Sequence, residues 1–164
     1  MMRTETTAAR VRQITPLPGT RTASTLGRVD YEDAFVVDIG APRLLSAERW
    51  MRKIVEEAPK NVRLQLLSGW SALGLKVNPT GSGRSILGWQ IRAADDDVVL
   101  LGAESRVGMP AELFLRREAD RLLFATFVRH DNPLVRALWA RVVPGHVRMV
   151  RALLERAGTP ALER

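Results

Sequence analysis

The chain contains no cysteine, which excludes disulfides, thiolate metal sites and a cysteine nucleophile. It also has no apolar run approaching the roughly 20 residues that cross a bilayer. Aromatic residues make up only 5% and form no stripe interleaved with arginine, as a platform for single-stranded nucleic acid would need. What remains is an ordinary globular composition, with 46% hydrophobic and 26% charged residues. At 164 residues, it predicts one domain with its own core.

Lysine is almost absent, although the formal net charge is +7 and the pI is about 11.1. Lys53, Lys60 and Lys76 are the only lysines, so nearly all the basic residues are arginine. That preference is typical of a GC-rich coding bias, and more than half of the net charge lies within the first 28 residues. The basic balance is therefore weak support for nucleic-acid binding, and we expect no nucleic-acid partner, no metal and no insertion into a membrane.

The ends of the chain lack periodicity. Residues 1–27, rich in Thr, Ala and Arg and containing Pro16 and Pro18, are predicted to form a disordered or loosely docked basic tail. Residues 28–158 are predicted to form a single domain, and residues 159–164 a short tail. The first segment also has the composition of a transit peptide, but it has no apolar signal core, which favours a cytoplasmic protein.

The first half of the predicted domain reads as one strand followed by two helices. Tyr31 to Ile39 is apolar enough for a strand. Ser46 can accept a hydrogen bond from a first-turn N–H and so begin a helix. Pro59 ends that helix, since proline disfavours helical geometry in the residue before it. A second apolar helical pattern follows and stops near Gly74.

The second half changes from helical to alternating patterning. Short turns separate the successive apolar runs, which implies antiparallel pairing. The predicted strands are Ile86–Ile91, Val98–Ala103, Ala111–Arg117 and Arg121–His130. A long helix from Leu134 to Ala157 closes the chain. The order strand, helix, helix, at least four strands and long helix predicts an α+β fold with its helices on one side of a sheet.

This order resembles the START-like (SRPBCC, helix-grip) superfamily. The similar residues are Gly74-Leu75-Lys76, Gly102, Thr126 to Asn132, Pro144 and His146. Within the superfamily the chain is similar to a bacterial branch known only as a domain of unknown function, distantly related to polyketide cyclase/dehydrase-like proteins. It departs from the branch at Arg136, Trp139 and Gly145, where glycine, tyrosine and a bulky apolar residue are usual.

The resemblance implies a curved antiparallel sheet wrapped around a long C-terminal helix, with two shorter helices after the first strand. It also implies a cavity between sheet and helix. Relatives use such cavities for lipids, polyketides and other apolar compounds, and some are cyclases or dehydratases. No catalytic residue is established for the branch, so none is carried over.

Residues three or four apart on the closing helix share a face, and strand alternation selects the inward side of the sheet. These patterns predict a ligand-binding set of Trp89, Leu101, Leu113, Phe124, Thr126, Trp139, Val142, His146 and Val150. Leu134 and Leu138 are expected alongside the helical stripe, and Trp50 and Trp70 are further candidates. The same apolar residues would equally fill a core without a cavity.

His146 is the candidate catalytic residue because it is titratable and lies on the buried stripe. It can hydrogen-bond a ligand or act as an acid or base, or it can be a structural histidine bonded to a backbone carbonyl or to Tyr31. His130, at a strand end, is expected to cap the turn that follows. Pro144 predicts a kink in the last helix, which would either follow the curvature of the sheet or open the cavity.

The leading hypothesis is a non-catalytic protein that binds a hydrophobic, lipid- or polyketide-like small molecule, without a cofactor. The first alternative is a cyclase- or dehydratase-type enzyme that uses His146. The second is an interaction module with a filled core. The sequence leaves a homo-oligomer open.

Overall fold

The structure, a computed structural model, describes residues 10–39, 45–78 and 84–159. Within these ranges the chain forms a seven-stranded sheet and four helices. In chain order the elements are β1 (Val11–Ile14), α1 (Pro18–Arg21), β2 (Tyr31–Asp38), α2 (Ala47–Val55), α3 (Lys60–Ala72), β3 (Ser85–Ile86), β4 (Trp89–Ala94), β5 (Val98–Ala103), β6 (Ala111–Arg117), β7 (Arg121–Val128) and α4 (Pro133–Gly158).

The sheet is antiparallel throughout, with the order β1-β2-β7-β6-β5-β4-β3. Strands β3 to β7 follow one another as a meander, and β2 joins the far side of β7. Helix α4 lies against β1, β2 and α2. The predicted α+β helix-grip fold, with a curved sheet and a long C-terminal helix, is confirmed.

A capping residue and a proline determine where helix α4 begins. The Asn132 side chain accepts a hydrogen bond from the Val135 amide at 3.0 Å, and Pro133 occupies the first turn, where its missing N–H costs nothing. The helix continues through Pro144 to Gly158. Leu134 is 79% exposed and Leu138 40%, so the prediction that they lie alongside the buried stripe was wrong; the first buried residue of the helix is Val135.

Both faces of the central strands are covered. The inner face of the sheet packs with α2 and α4 into the main core, which includes Phe35, Leu101 and Leu115. On the outer face, Leu100, Phe114, Leu123 and Phe127 form a second apolar cluster with Leu26, and other residues of the N-terminal segment pack against it. Double coverage explains why β7 is apolar at nearly every position.

The N-terminal segment differs from the predicted loose tail from residue 10 onward. Strand β1 pairs with Ala34 to Val37 of β2, and Leu26 is 4% exposed beneath the outer face. A four-residue strand is too short to show an alternating pattern in the sequence. The segment is held in place by pairing with the edge of the sheet and by packing on its apolar outer face. Residues 1–9 and 160–164 lie outside the described residues.

A buried carboxylate anchors this segment. Glu112 on β6 is 0% exposed and accepts hydrogen bonds from the Ser24 hydroxyl, from the Thr25 amide at 3.0 Å and from the Thr25 hydroxyl at 2.6 Å. Arg92 donates from Nη1 to the same side chain at 3.0 Å. Gly102 makes room for this arginine, because a Cβ there would lie 2.0 Å from its Nε.

The predicted strand Ile86–Ile91 is interrupted. Leu87 and Gly88 form a turn with φ of 46° and 88°, so that β3 and β4 are two short antiparallel strands. Glycine adopts a positive φ readily, and the tight turn requires a positive φ at Leu87 as well. Trp89 nevertheless faces the interior, with 2% of its surface exposed.

Candidate functional site

A cavity with a volume of about 320 Å³ lies between the inner face of the sheet and helices α3 and α4. Its walls are mostly apolar. The lining residues are Gln65, Leu66, Gly69, Trp70, Leu73, Leu75, Trp89, Met109, Ala111, Leu113, Thr126, Val128, Trp139, Val142, Gly145, His146 and Met149.

Most of the residues predicted to bind ligand meet at this cavity: Trp89, Leu113, Thr126, Trp139, Val142 and His146. The structure does not bring Leu101, Phe124 or Val150 to its wall. They are buried in the main core, with exposures of 0%, 4% and 6%. Alternation places Leu101 and Phe124 on the correct face, but both lie in the main core, where α2 packs over β5 and β6.

Helix α3 forms a wall that the sequence indicated only in part. Trp70 lines the cavity and meets Trp89 edge to face, with ring centroids 5.4 Å apart and planes at 80°. Leu66 is the one buried residue of α3. Trp50, the other aromatic candidate, is 3% exposed in the main core and does not line the cavity. Helix α3 therefore covers the cavity while burying little of its own surface. Its weakly amphipathic sequence did not indicate this role.

The polar part of the cavity is built on β2, β7 and α4. His146 Nε2 lies 2.9 Å from Oδ2 of Asp33, and the Tyr31 hydroxyl donates to the same oxygen at 2.7 Å. Asp33 and Thr126 are directly opposed in the β2–β7 ladder and are 3% and 2% exposed. Asp33 therefore stands behind the cavity wall, while His146 and Thr126 are part of it.

Two neighbours share Oδ2 of Asp33. The Tyr31 hydroxyl donates to it, and His146 Nε2 donates to it in the tautomer that carries a proton on this nitrogen. Burial, followed by the negative charge of Asp33 and the hydrogen bond to it, raises the pKa of Tyr31 above its ordinary range. The described residues place no partner on the other ring nitrogen of His146, Nδ1. It is the nitrogen left for a molecule in the cavity.

Several buried polar atoms around the cavity have no hydrogen-bond partner among the described residues. Thr126 Oγ1, Trp89 Nε1 and Trp139 Nε1 belong to residues of the wall, and Asp33 Oδ1 lies behind it. Leaving such an atom unsatisfied costs about 1–3 kcal/mol.

Asp33 was not among the residues predicted for the site. Along β2 it alternates with outward residues and shares a face with Tyr31, Phe35 and Val37, all of which contact the main core or its edge. An acidic residue at an inward-facing position among apolar ones is unusual, so the alternation of β2 could have identified Asp33 as a site residue. The structural role considered for His146 had the wrong acceptor: the ring bonds a carboxylate, with Tyr31 on the other side of that carboxylate.

The other histidine belongs to a different place. His130 follows β7, and its backbone amide, not its ring, donates to Asp30 at 2.7 Å. Burial lowers the pKa of its side chain. Among residues 10–39, 45–78 and 84–159, no cluster of histidine and carboxylate side chains is arranged to hold a metal ion. No helix in the same ranges is long and apolar enough to cross a membrane.

Comparisons with known proteins add little to this geometry. No protein-family model matches the chain, and no curated protein matches it. Among solved structures, the crystal structure of CalU16 from Micromonospora echinospora is similar, with 12% sequence identity and a TM-score of 0.37. The match covers 94% of this chain and 86% of that one. Similarity at this level indicates no function for this chain.

Proposed function

We propose that this protein binds a hydrophobic small molecule, lipid- or polyketide-like, in the cavity between the sheet and α4. The observation that carries the proposal is an apolar cavity of about 320 Å³ with a polar group on one wall. Small-molecule sites typically enclose about 300–1,000 Å³ and combine apolar walls with a few placed polar groups. This cavity has both properties.

Affinity in such a site comes mainly from burial of apolar ligand surface, worth about 0.8 kcal/mol per methylene. Trp89, Leu113 and Val142 supply apolar contact, with Trp70 from α3 opposite. His146, on the wall that it shares with Thr126, orients the polar end of the ligand. Leu101, Phe124 and Val150 support the wall from the core behind it and make no direct contact.

A cavity of this size speaks against the interaction module with a filled core. That alternative predicts solid packing under α4, as in most protein interiors. Instead Ala111 and Gly145, two of the smallest residues available, line the space. Small side chains at these positions keep it open.

Occupying the cavity with a side chain tests the proposal. Ala111→Leu replaces the methyl group of a wall residue by an isobutyl group, and Ala152→Leu makes the same change at an exposed position of α4. We expect the parent protein and Ala152→Leu to take up Nile red and to carry apolar molecules visible by native mass spectrometry. Ala111→Leu should lose both. Equal uptake by the two variants, or no uptake by the parent, would contradict binding in this cavity.

A further inference from the structure

His146 presents an accessible polar atom to the cavity. Its ring lines the cavity, Nε2 lies 2.9 Å from Oδ2 of Asp33, and Nδ1 has no hydrogen-bond partner among the described residues. Nδ1 is not one of the buried atoms that lack a partner, so it keeps accessible surface. The hydroxyl of Thr126 and the indole N–H groups of Trp89 and Trp139 are such buried atoms and do not face the space. A molecule in the cavity therefore meets Nδ1 as its enclosed polar neighbour.

The described walls of the cavity carry no fixed charge. Among the residues that line it there is no lysine, arginine, aspartate or glutamate. Gln65 lines it too, but this residue is exposed and so contacts water. Asp33 lies behind the wall, with its side chain 2% exposed. A ligand carboxylate would be buried here without a counter-charge, which is strongly unfavourable, so the cavity favours neutral molecules.

Asp33 selects the tautomer of a neutral His146. An ionised carboxylate only accepts, so the 2.9 Å contact is favourable with the ring proton on Nε2 and repulsive with a lone pair there. The Tyr31 hydroxyl donates to the same oxygen and holds it in place. With its proton on Nε2, His146 has a lone pair on Nδ1, which accepts a hydrogen bond and cannot donate one. The ligand must therefore supply a donor.

The size and the aromatic walls of the cavity limit the rest of the ligand. Its volume of about 320 Å³ is the share of the liquid that about ten water molecules occupy, at roughly 30 Å³ each. That suits a compact ring compound and is too small for a lipid with two long chains. Trp70 and Trp89 meet edge to face, and the Trp139 ring lies 5.1 Å from the His146 ring, centroid to centroid. Indole rings on several sides favour contact with a flat aromatic molecule.

We infer that the ligand of this cavity is a neutral, hydroxyl-bearing ring compound whose O–H donates to His146 Nδ1. Asp33 is the positioning residue that orients the imidazole for this contact. The inference rests on the proposed function, since the molecule must occupy the cavity, and it narrows the ligand to compact alcohols and phenols as opposed to free carboxylic acids.

Three naphthalene compounds that differ at one position test the inference. 2-Naphthol carries a donor, 2-methylnaphthalene has nearly the same shape without a polar group, and 2-naphthoate carries a charge. Isothermal titration calorimetry at neutral pH measures the affinity of the parent protein for each. We expect 2-naphthol and 2-methylnaphthalene to bind, and 2-naphthoate to bind at least about 10-fold more weakly than 2-naphthol because its charge is uncompensated.

A substitution isolates the hydrogen bond. His146→Phe keeps a ring on the wall and removes the acceptor, so the affinity for 2-naphthol relative to 2-methylnaphthalene should fall by about 10-fold or more. Changes in apolar packing affect both compounds and cancel in this ratio. His130→Phe is the matched control: His130 does not line the cavity, and the ratio should equal that of the parent protein.

Binding of 2-naphthol and 2-methylnaphthalene with the same ratio in His146→Phe as in the parent overturns the inference and leaves the binding proposal intact. Tighter binding of 2-naphthoate than of 2-naphthol does the same. If none of the three compounds binds, both proposals are overturned.

A measurement on the parent protein avoids any effect of substitution on folding. Nitrogen NMR of labelled histidine should find His146 protonated at Nε2 and bare at Nδ1, and the Nδ1 resonance should shift when 2-naphthol is added. A proton on Nδ1, or no shift once 2-naphthol is bound, would also overturn the inference.

Discussion

Replacing Glu112 by glutamine should destabilise the protein strongly, although the change is confined to one atom and one charge. The Glu112 side chain is 0% exposed and accepts hydrogen bonds from Ser24, Thr25 and Arg92. Glutamine has nearly the same shape, but its amide nitrogen donates. One of the two acceptor atoms would then face donors, and the guanidinium of Arg92 would lose its buried counter-charge.

The magnitude follows from burial. Breaking a buried ion pair by removing one partner costs about 3–5 kcal/mol, and the acceptor that glutamine retains favours the lower end, so we expect about 3 kcal/mol. For a chain of this length that corresponds to a fall in Tm of roughly 10 °C. Glu104→Gln is the matched control. Its carboxylate pairs with the same arginine at 3.2 Å but is 73% exposed, and surface pairs contribute only about 0–1 kcal/mol.

Urea unfolding of both variants measures the free-energy differences, and amide hydrogen exchange locates the loss. The Thr25 and Leu26 amides should exchange faster in Glu112→Gln, since the carboxylate holds this segment against the sheet. If the two variants differ in stability by less than about 0.5 kcal/mol, the buried carboxylate is not what secures the N-terminal segment.

Further predictions concern single residues. Tyr31, the only tyrosine, has a raised pKa, so its contribution to stability is present below the ordinary tyrosine pKa of about 10 and is lost as the pH rises above that value. Phenolate absorbance should therefore appear only as the protein unfolds, and titration of Tyr31 in the folded state would contradict this. Gly69→Ala should stabilise α3 by about 0.5–1 kcal/mol, because an added Cβ meets open space and alanine favours a helix. Gly74→Ala should instead destabilise the protein, since its φ is +78° and the added Cβ lies 2.8 Å from Val107; equal Tm changes for the two alanine variants would refute this reasoning. Leu154→Ala should cost about 2–5 kcal/mol and Leu134→Ala almost nothing in thermal or urea unfolding, because they are 1% and 79% exposed; a large loss at Leu134 would place it in an interface.

Periodicity predicted the elements that have enough length to display it. The start of α4 was correct to within one residue, because Asn132 and Pro133 supply local signals that need no partner. The meander of β5 to β7 was predicted because short turns leave antiparallel neighbours as the simplest pairing. The turn at Leu87 and Gly88 was missed, since an isolated glycine inside an apolar run looks the same in a strand and in a hairpin.

The site depended on information that one strand or helix does not contain. Thr126, Trp139 and His146 were identified from their faces, and the structure places all three on one cavity wall. Whether a buried inward residue lines the cavity or belongs to the packed core is decided by tertiary packing, and for that reason Leu101 and Phe124 were placed on the cavity wall incorrectly. Asp33 could have been predicted from alternation, but its partner on α4 lies 113 residues away in sequence, so the pairing could not.

The pairing of β2 with β7 has a consequence for how the chain folds as it is synthesised. Tyr31 is hydrogen-bonded in register with Val128, along a ladder that runs the length of both strands. While the ribosome is still making the first two thirds of the chain, β2 has β1 on one side and an open edge on the other. The sheet therefore closes only after the last strand emerges, and α4 covers it later still. Nascent chains of this protein should depend on chaperones until translation is almost complete.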